Sequence, residues 1–381
     1  MLFKSQYFSQ YTHPSQMQPL LPATRRLGPL LEQAHGLVRR ADRLSGLCQP
    51  GALGGLRGLL RAMNAFYAQK FEGLKMQPLE IEQALRGERA ADPEKAGRQR
   101  MALAHMATEA QLEMRWPAWN AKTVWSPQMV CDIHQDVYAR LPEADRALKG
   151  GATLRPGTLQ SGPAKVRALL EQWGNVYGSV RQVDMQVLAM AASHQRLVCM
   201  QPFREGSGRV AGLHTHLVLG HLGLTNGLWS PLRGFARSQD AYRAHLAAAT
   251  DPRGLEAWIG YVLAQCGEQV QLMTGLLAPQ DMQDRIAACL GFEEHVVKQG
   301  VRTESLRALH YLFVTQGALE RRDFKAMLGL GDRMATTQIS ALLQRGLLET
   351  DSPHGKLRFG VPQHALRFYF PKLWPEAERE A

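Results

Sequence analysis

The chain has 381 residues, 45% apolar and 21% charged, an ordinary globular composition with room for two or three domains. No window approaches the roughly 18 apolar residues of a membrane span, and the opening Met1-Leu2-Phe3-Lys4-Ser5 lacks the apolar run of a signal peptide. Five scattered cysteines (Cys48, Cys131, Cys199, Cys266, Cys289) form no C-x-x-C pair, which excludes a disulfide framework and a zinc finger and predicts free thiols in a reducing, cytoplasmic setting. The net charge of +11 asks for an acidic partner (nucleotide, nucleic acid or protein), with no membrane partner expected.

Residues 1–24 carry Gln, Ser, Tyr and Pro without period and read as an irregular arm. A helical region follows over 25–115. Its first helix runs to about Cys48, and four glycines then fall between Gly51 and Gly58. A second helix runs from about Leu59 to Glu72, with Gly73 as the residue just past its end. The charged run Arg86 to Arg100 reads as an exposed connection, and helical spacing resumes from Met101 to Trp116. Ser126 is a good N-cap ahead of Pro127, and Val130, Ile133 and Val137 give a packing face that His134 joins as a core or edge histidine. Gly150 to Pro163 is the one β candidate of the central region, against a plain Gly/Pro loop. Helices are predicted over 164–177 and 183–198, with His194 a packing residue.

The stretch Met200 to Gly212 then places glycines, a carboxylate and a cation at the start of another helix. Amide groups there point outward and the helix dipole favours anions, so Phe203, Gly206, Ser207, Gly208 and Arg209 form a candidate polyphosphate cradle. Arg209 is placed to take a phosphate in bidentate fashion, and Glu205 to hold a divalent cation bridging phosphate oxygens. An ordinary capped helix is the competing reading. His214, His216 and His221 follow on one helical stretch, but no carboxylate or thiol at i±4 completes a metal set.

From Val301 the pattern changes. Helices over 306–314, 321–328 and 332–344 precede short strands at 347–350 and 356–361, the order of a winged helix over 301–376. Arg333, Thr336, Thr337 and Gln338 would face a DNA groove, with Lys356 and Arg358 of the wing on the backbone. Protein packing, or a homodimer contact, is the alternative. From Val301 onward 12 Lys/Arg stand against 9 Asp/Glu, too mild an excess to choose.

The residues Pro202, Phe203, Glu205, Gly206, Gly208 and Arg209 resemble the Fic (Fido) signature, His-Pro-Phe-x-Asp/Glu-Gly-Asn-Gly-Arg-x-x-Arg. Gly227 to Arg237 is similar to the Gly-Leu-Trp-Ser-x-x-Arg-Gly-Leu-Ala-Arg of one bacterial Fic subfamily, whose C-terminal domain also resembles the winged helix here. The resemblance implies a mostly α fold: a helical Fic core over 116–290 with a short β flap at 150–163, then the winged helix. It implies AMP transfer from ATP with Mg²⁺ to a hydroxyl of a target protein. Gln201 stands where the family has its general base, Ser207 replaces the asparagine, and Gly212 replaces the second arginine. A glutamine has no titratable proton near neutral pH and cannot act as that base. Glu72-Gly73 resembles the inhibitory motif of the N-terminally inhibited class, with Ala68 at the Ser/Thr position. In that class the glutamate pairs with the second arginine, so Glu72 is expected to have lost that partner and Glu72→Gly to change little, with Arg209 the first alternative partner for a Glu72 that still pairs. Restoring Gln201→His, Ser207→Asn and Gly212→Arg together is expected to recover activity better than Gln201→His alone. The expected function is a catalytically impaired Fic protein that retains nucleotide binding. The alternatives are an active transferase with altered chemistry, or a DNA-binding regulator built on a Fic core.

Overall fold

A computed structural model describes residues 11, 13–47, 54–148, 150–160, 162–371 and 373. Cys48, the first ten residues of the expected arm and the closing Trp374-Pro375-Glu376 lie outside the described residues. The helices in chain order are α1 (Gly28–Gly46), α2 (Gly54–Phe71), α3 (Pro78–Leu85), α4 (Pro93–Arg115), α5 (Ala121–Val124), α6 (Pro127–Tyr138), α7 (Pro163–Tyr177), α8 (Val183–Met200) and α9 (Ser207–His221). They continue with α10 (Leu232–Arg237), α11 (Gln239–Ala248), α12 (Pro252–Leu276), α13 (Pro279–Phe292), α14 (Leu306–Thr315), α15 (Arg321–Leu328) and α16 (Asp332–Gln344). Two short strands, β1 (Leu348–Glu349) and β2 (Arg358–Phe359), and the turn of helix α17 (Leu366–Tyr369) close the order. Two compact units result, one from residues 1–43 and 60–270, the other from 44–59 and 271–381.

The first unit is built around α8 and α9, which pack on each other. Every residue from Val187 to Met200 and from Ser207 to Gly220 is buried, as expected of helices apolar on most sides. Polar groups inside are paired. His194 bonds Thr215 Oγ1 at 2.8 Å and the Tyr242 hydroxyl at 2.9 Å, stitching α8, α9 and α11 in the packing role expected of it. The His214 Nε2–H donates to the Val124 carbonyl at 3.0 Å. Arg196 is fully buried and donates to the carbonyls of Pro19 (2.7 Å) and Ala249 (2.9 Å) and to the Tyr11 hydroxyl (3.0 Å), fastening the N-terminal segment to α8. The side of α6 carrying Val130, Ile133, His134 and Val137 is buried, with Ser126 accepting from the Met129 N–H at 3.0 Å as the cap.

Two segments differ from the sequence reading. The charged run 86–100 is mostly the first part of α4, which starts at Pro93 with Asp92 Oδ1 accepting from the Lys95 N–H at 2.8 Å. Its charges are spent along the helix, as in the Arg98–Glu94 pair at 2.7 Å, and across to Asp145 from Arg100 at 2.7 Å, so they disguise a helix start as a loop. The expected flap is not a hairpin: among the described residues the segment has one antiparallel bridge, Ala147 to Thr153.

In the second unit α13 packs on α14 and α17, and α14, α15 and α16 precede the antiparallel pair β1–β2, in register Leu348 with Phe359. Leu319 adds a bridge to Leu357. Phe313, Phe324, Leu328, Ile339, Leu342 and Phe359 form the interior. Glu293, fully buried, is held by Arg345 at 2.7 and 2.8 Å. Helix, helix, helix and hairpin follow in the order expected. Among the described residues no helix is long and apolar enough to cross a membrane.

Candidate functional site

The turn between α8 and α9 is a strained six-residue loop. Gln201 ends α8 in the left-handed region (φ 46°), unusual for a residue with a side chain, and its N–H donates to Leu197 O at 3.2 Å. Gly206 precedes α9 at φ 80°, and a Cβ there would lie 2.2 Å from the Tyr138 hydroxyl, so only glycine fits. The Ser207 hydroxyl accepts from the Phe203 N–H (3.0 Å) and donates to the Phe203 carbonyl (3.1 Å), closing the loop on itself. Ser207 therefore shapes the turn. Glu205 lies exposed at its rim.

His134 holds this loop from below. Its ring stacks on Phe203 with centroids 3.9 Å apart and on Tyr138 at 4.5 Å. Its Nε2–H donates to the Glu205 carbonyl at 3.3 Å, and its Nδ1 accepts from the Gly157 N–H at 2.8 Å. Burial pushes its pKa down to about 4, with the Glu205 hydrogen bond only partly opposing, so the neutral tautomer these contacts need is the one present near pH 7. Gln160 adds a second tie, its Nε2 donating to the Gln201 carbonyl at 2.5 Å and its N–H to the Pro202 carbonyl at 2.9 Å. Segment 150–160 is thus laid on the signature loop. Sequence reading gave His134 no such part, because its partners lie 23 and 71 residues away.

Arg209 points back into the protein. Its side chain is fully buried, with Nε donating to Glu72 Oε1 at 3.0 Å and Nη2 donating to Glu72 Oε2. Nη1 donates to His105 Nδ1 at 3.2 Å, and the Tyr138 hydroxyl also meets the guanidinium. Burial lowers the pKa of His105, with Glu109 opposing, which leaves Nδ1 free to accept. Glu72 lacks the second arginine as expected, and it takes the alternative partner, Arg209. The carboxylate has the first signature arginine in place of the missing second one, because the end of α2 comes over the first turn of α9. Gly73 sits at φ 74°, just past that end as expected.

Gly212 faces Leu232, whose Cδ2 would lie 3.1 Å from a Cβ placed there. Ala68, Gly212, Leu232, Phe235 and Tyr242 line the same small cavity, about 10 Å³, enough for roughly one water. The two positions that depart from the inhibitory pairing, Ala68 and Gly212, are therefore neighbours in space, and apolar side chains take most of the room.

In the second unit Arg333, Thr336 and Thr337 are exposed on α16, with both threonine hydroxyls turned to their own helix, donating to the Asp332 and Arg333 carbonyls. Gln338 is not on that face. It is buried, its amide hydrogen-bonded to the Ser305 hydroxyl at 2.7 Å, because it lies one residue round the helix toward the core. Lys356 pairs with Glu320 at 3.3 Å and Arg358 with Asp351, so both cations already have carboxylates.

Residues 124–219, which hold α6, the 150–160 segment, α8 and the signature loop, match the sequence model of the Fic/DOC family. That segment is similar to a Fic domain. A Fic family protein from Desulfovibrio desulfuricans G20 is similar in fold, with a TM-score of 0.54 at 15% identity over 91% of this chain and 99% of that one. A Fic domain containing signaling protein from Bacteroides thetaiotaomicron gives a TM-score of 0.49 at 12% identity, covering 63% of this chain and 95% of that one. Fic-1 (residues 134–508) from C. elegans gives 0.46 at 16% identity, covering 65% and 71%. No curated protein matches the chain.

Proposed function

We propose that this Fic-domain protein binds a nucleotide with Mg²⁺ at the start of α9 and is impaired in transferring AMP to a protein hydroxyl. The observation that carries this reading is the buried clasp of Glu72 on Arg209 beside a loop whose base position holds Gln201. The residues present fit part of a triphosphate: the first-turn amides of α9 favour an anion, and Arg209 supplies a guanidinium once Glu72 lets go. Glu205, exposed at the rim, would hold the magnesium ion, which when bound neutralises phosphate charge. Nothing at Gln201 takes a proton from an attacking hydroxyl, and a positioned base is typically worth roughly 10²–10⁴ in rate. Binding outlasts chemistry in this reading.

Calorimetry with ATP and Mg²⁺ tests it. Glu72→Gln should bind at least about tenfold more tightly than the native chain, a gain of about 1.4 kcal/mol, because the competing carboxylate charge is gone. Neither protein should label itself or a lysate with radioactive ATP. Strong labelling by the native chain, lost on changing Gln201, would overturn the reading in favour of altered transferase chemistry. Equal affinities of the two proteins would remove the clasp from it.

The exposed Arg333, Thr336 and Thr337 favour a second reading, a DNA-binding regulator. The full chain should then shift duplex DNA at about 50 mM salt, with affinity falling by about 0.9 log units per phosphate contact for each log unit of salt. Arg333→Ala should weaken the shift. Absence of binding at that salt leaves α14–α16 a packing or dimerisation module.

A further inference from the structure

Beside the clasp lies a second buried charge cluster that the nucleotide reading does not use. Glu109 and Glu113 stand one turn apart on α4, and His216 comes from α9 to meet both. Their side chains are 2%, 9% and 3% exposed, and one ligand atom from each lies within 4.8 Å of the others. His216 Nε2 is 3.3 Å from Glu113 Oε1 and 3.6 Å from Glu109 Oε1. Four donors about 2.0 Å from one zinc ion sit about 3.3 Å apart along the edges of their tetrahedron. The two separations from His216 are close to that, and the two carboxylates lie within 4.8 Å of each other, with one corner left for water.

The surroundings are those of a ligand set. Arg61 donates to Glu113 Oε2 at 2.7 and 2.9 Å, leaving Oε1 toward the imidazole. Asn64 donates to Glu109 Oε1 at 2.7 Å. Arg61 thus holds the far oxygen of Glu113, as groups that orient metal ligands do elsewhere, while Asn64 bonds the Glu109 oxygen that faces His216. His105, fully buried, faces the other oxygen of Glu109, its Nε2 3.3 Å from Oε2. The helix spacing of His214, His216 and His221 led to no metal set, because both carboxylates arrive from more than a hundred residues earlier.

We propose that Glu109, Glu113 and His216 form a buried divalent-metal site of zinc type, closing α4 onto α9 behind Arg209. One imidazole and two carboxylates suit Zn²⁺, and Co²⁺ as its spectroscopic substitute, over Mg²⁺, which keeps its waters. Binding would fix α4 and so the His105 that touches Arg209.

The test uses the full chain, treated with chelator and dialysed, with no nucleotide present. Zn²⁺ titrated by calorimetry should bind at one equivalent and raise the apparent unfolding midpoint by several degrees. Mg²⁺ at the same concentration should do neither. Glu113→Gln and Glu109→Gln, each checked by circular dichroism for retained helix, should lose at least about a hundredfold in affinity, and Asn64→Ala about tenfold. Co²⁺ should give a visible spectrum without a thiolate charge-transfer band. Failure of the native chain to bind zinc overturns the proposal. So does undiminished binding in both glutamine variants, or a thiolate band that places the ion on cysteine.

Discussion

Gly212 shows how one residue sets what its neighbours must be. A larger side chain there would start 3.1 Å from Leu232 Cδ2, and the adjoining cavity holds only about 10 Å³. An arginine would bury a cation among Phe235, Tyr242 and Leu232, with Glu72 already committed to Arg209. Gly212→Arg is therefore expected to overpack the core and cost roughly 1–3 kcal/mol, beyond any charge penalty. Restoring the signature would thus call for space at Leu232 as well. Leu232→Ala in the same chain should recover part of the loss by opening the needed space. Denaturant midpoints of the single and double variants measure this, and a double variant no more stable than Gly212→Arg alone would show that Leu232 is not the obstacle. Replacing Glu72 is no longer neutral either. Glu72→Gln leaves the Arg209 guanidinium buried without its counter-charge, and losing one partner of a buried pair typically costs about 3–5 kcal/mol. ATP with Mg²⁺ should then stabilise that variant more than it stabilises the native chain, in thermal shifts of the two proteins side by side.

Elements meet at His134. One ring joins α6, the loop before α9 and the 150–160 segment, through Phe203, Glu205 and Gly157. His134→Ala removes the acceptor of the Gly157 N–H and the stack under Phe203, and a buried donor left unpaired costs about 1–3 kcal/mol. Amide exchange should speed at Gly157 and Gln160 together with the loop, while the middle of α8 stays protected. Exchange that rises only around residue 134 would mean that the loop does not depend on this latch. The helices carrying these pieces were readable from sequence wherever apolar spacing and caps agreed, as with Ser126 and Pro127 at α6 and the order α14 to β2. The start of α4 was not, because its charges pair along the helix and with Asp145 and so read as surface. Nor were the pairings that make the site. Glu72 meets Arg209 across 137 residues, and local spacing holds no record of such a contact. Gly206, by contrast, was legible as a glycine at a helix start, while the Tyr138 hydroxyl that enforces it was not.

At the scale of the whole chain, the histidines buried in the first unit decide how it responds to acid. Burial pushes His134 and His214 down to about 4 and His194 to about 3, against an ordinary 6.5, with hydrogen bonds to backbone only partly opposing. They are neutral when folded and take up protons when unfolded as the pH falls below about 6.5. Their contribution is fully present above that value and is lost progressively as the pH falls toward about 4. His216 behaves oppositely. Burial would lower it, but Glu109 and Glu113 outweigh burial and raise it, so its contribution is lost as the pH rises through its folded value. Below about 6 it is protonated in both states, so its contribution is fully present and no longer changes with pH. His105, lowered by the same burial, adds a fourth to His134, His194 and His214, and four protons taken up on unfolding correspond to a slope of about 5 kcal/mol per pH unit at the steepest. Urea unfolding followed at pH 7, 6 and 5 should show the midpoint falling at each step. A midpoint flat over that range would mean that these imidazoles reach solvent in the folded protein. The stitching of α8, α9 and α11 through His194 would then be looser than its 2.8 and 2.9 Å contacts require.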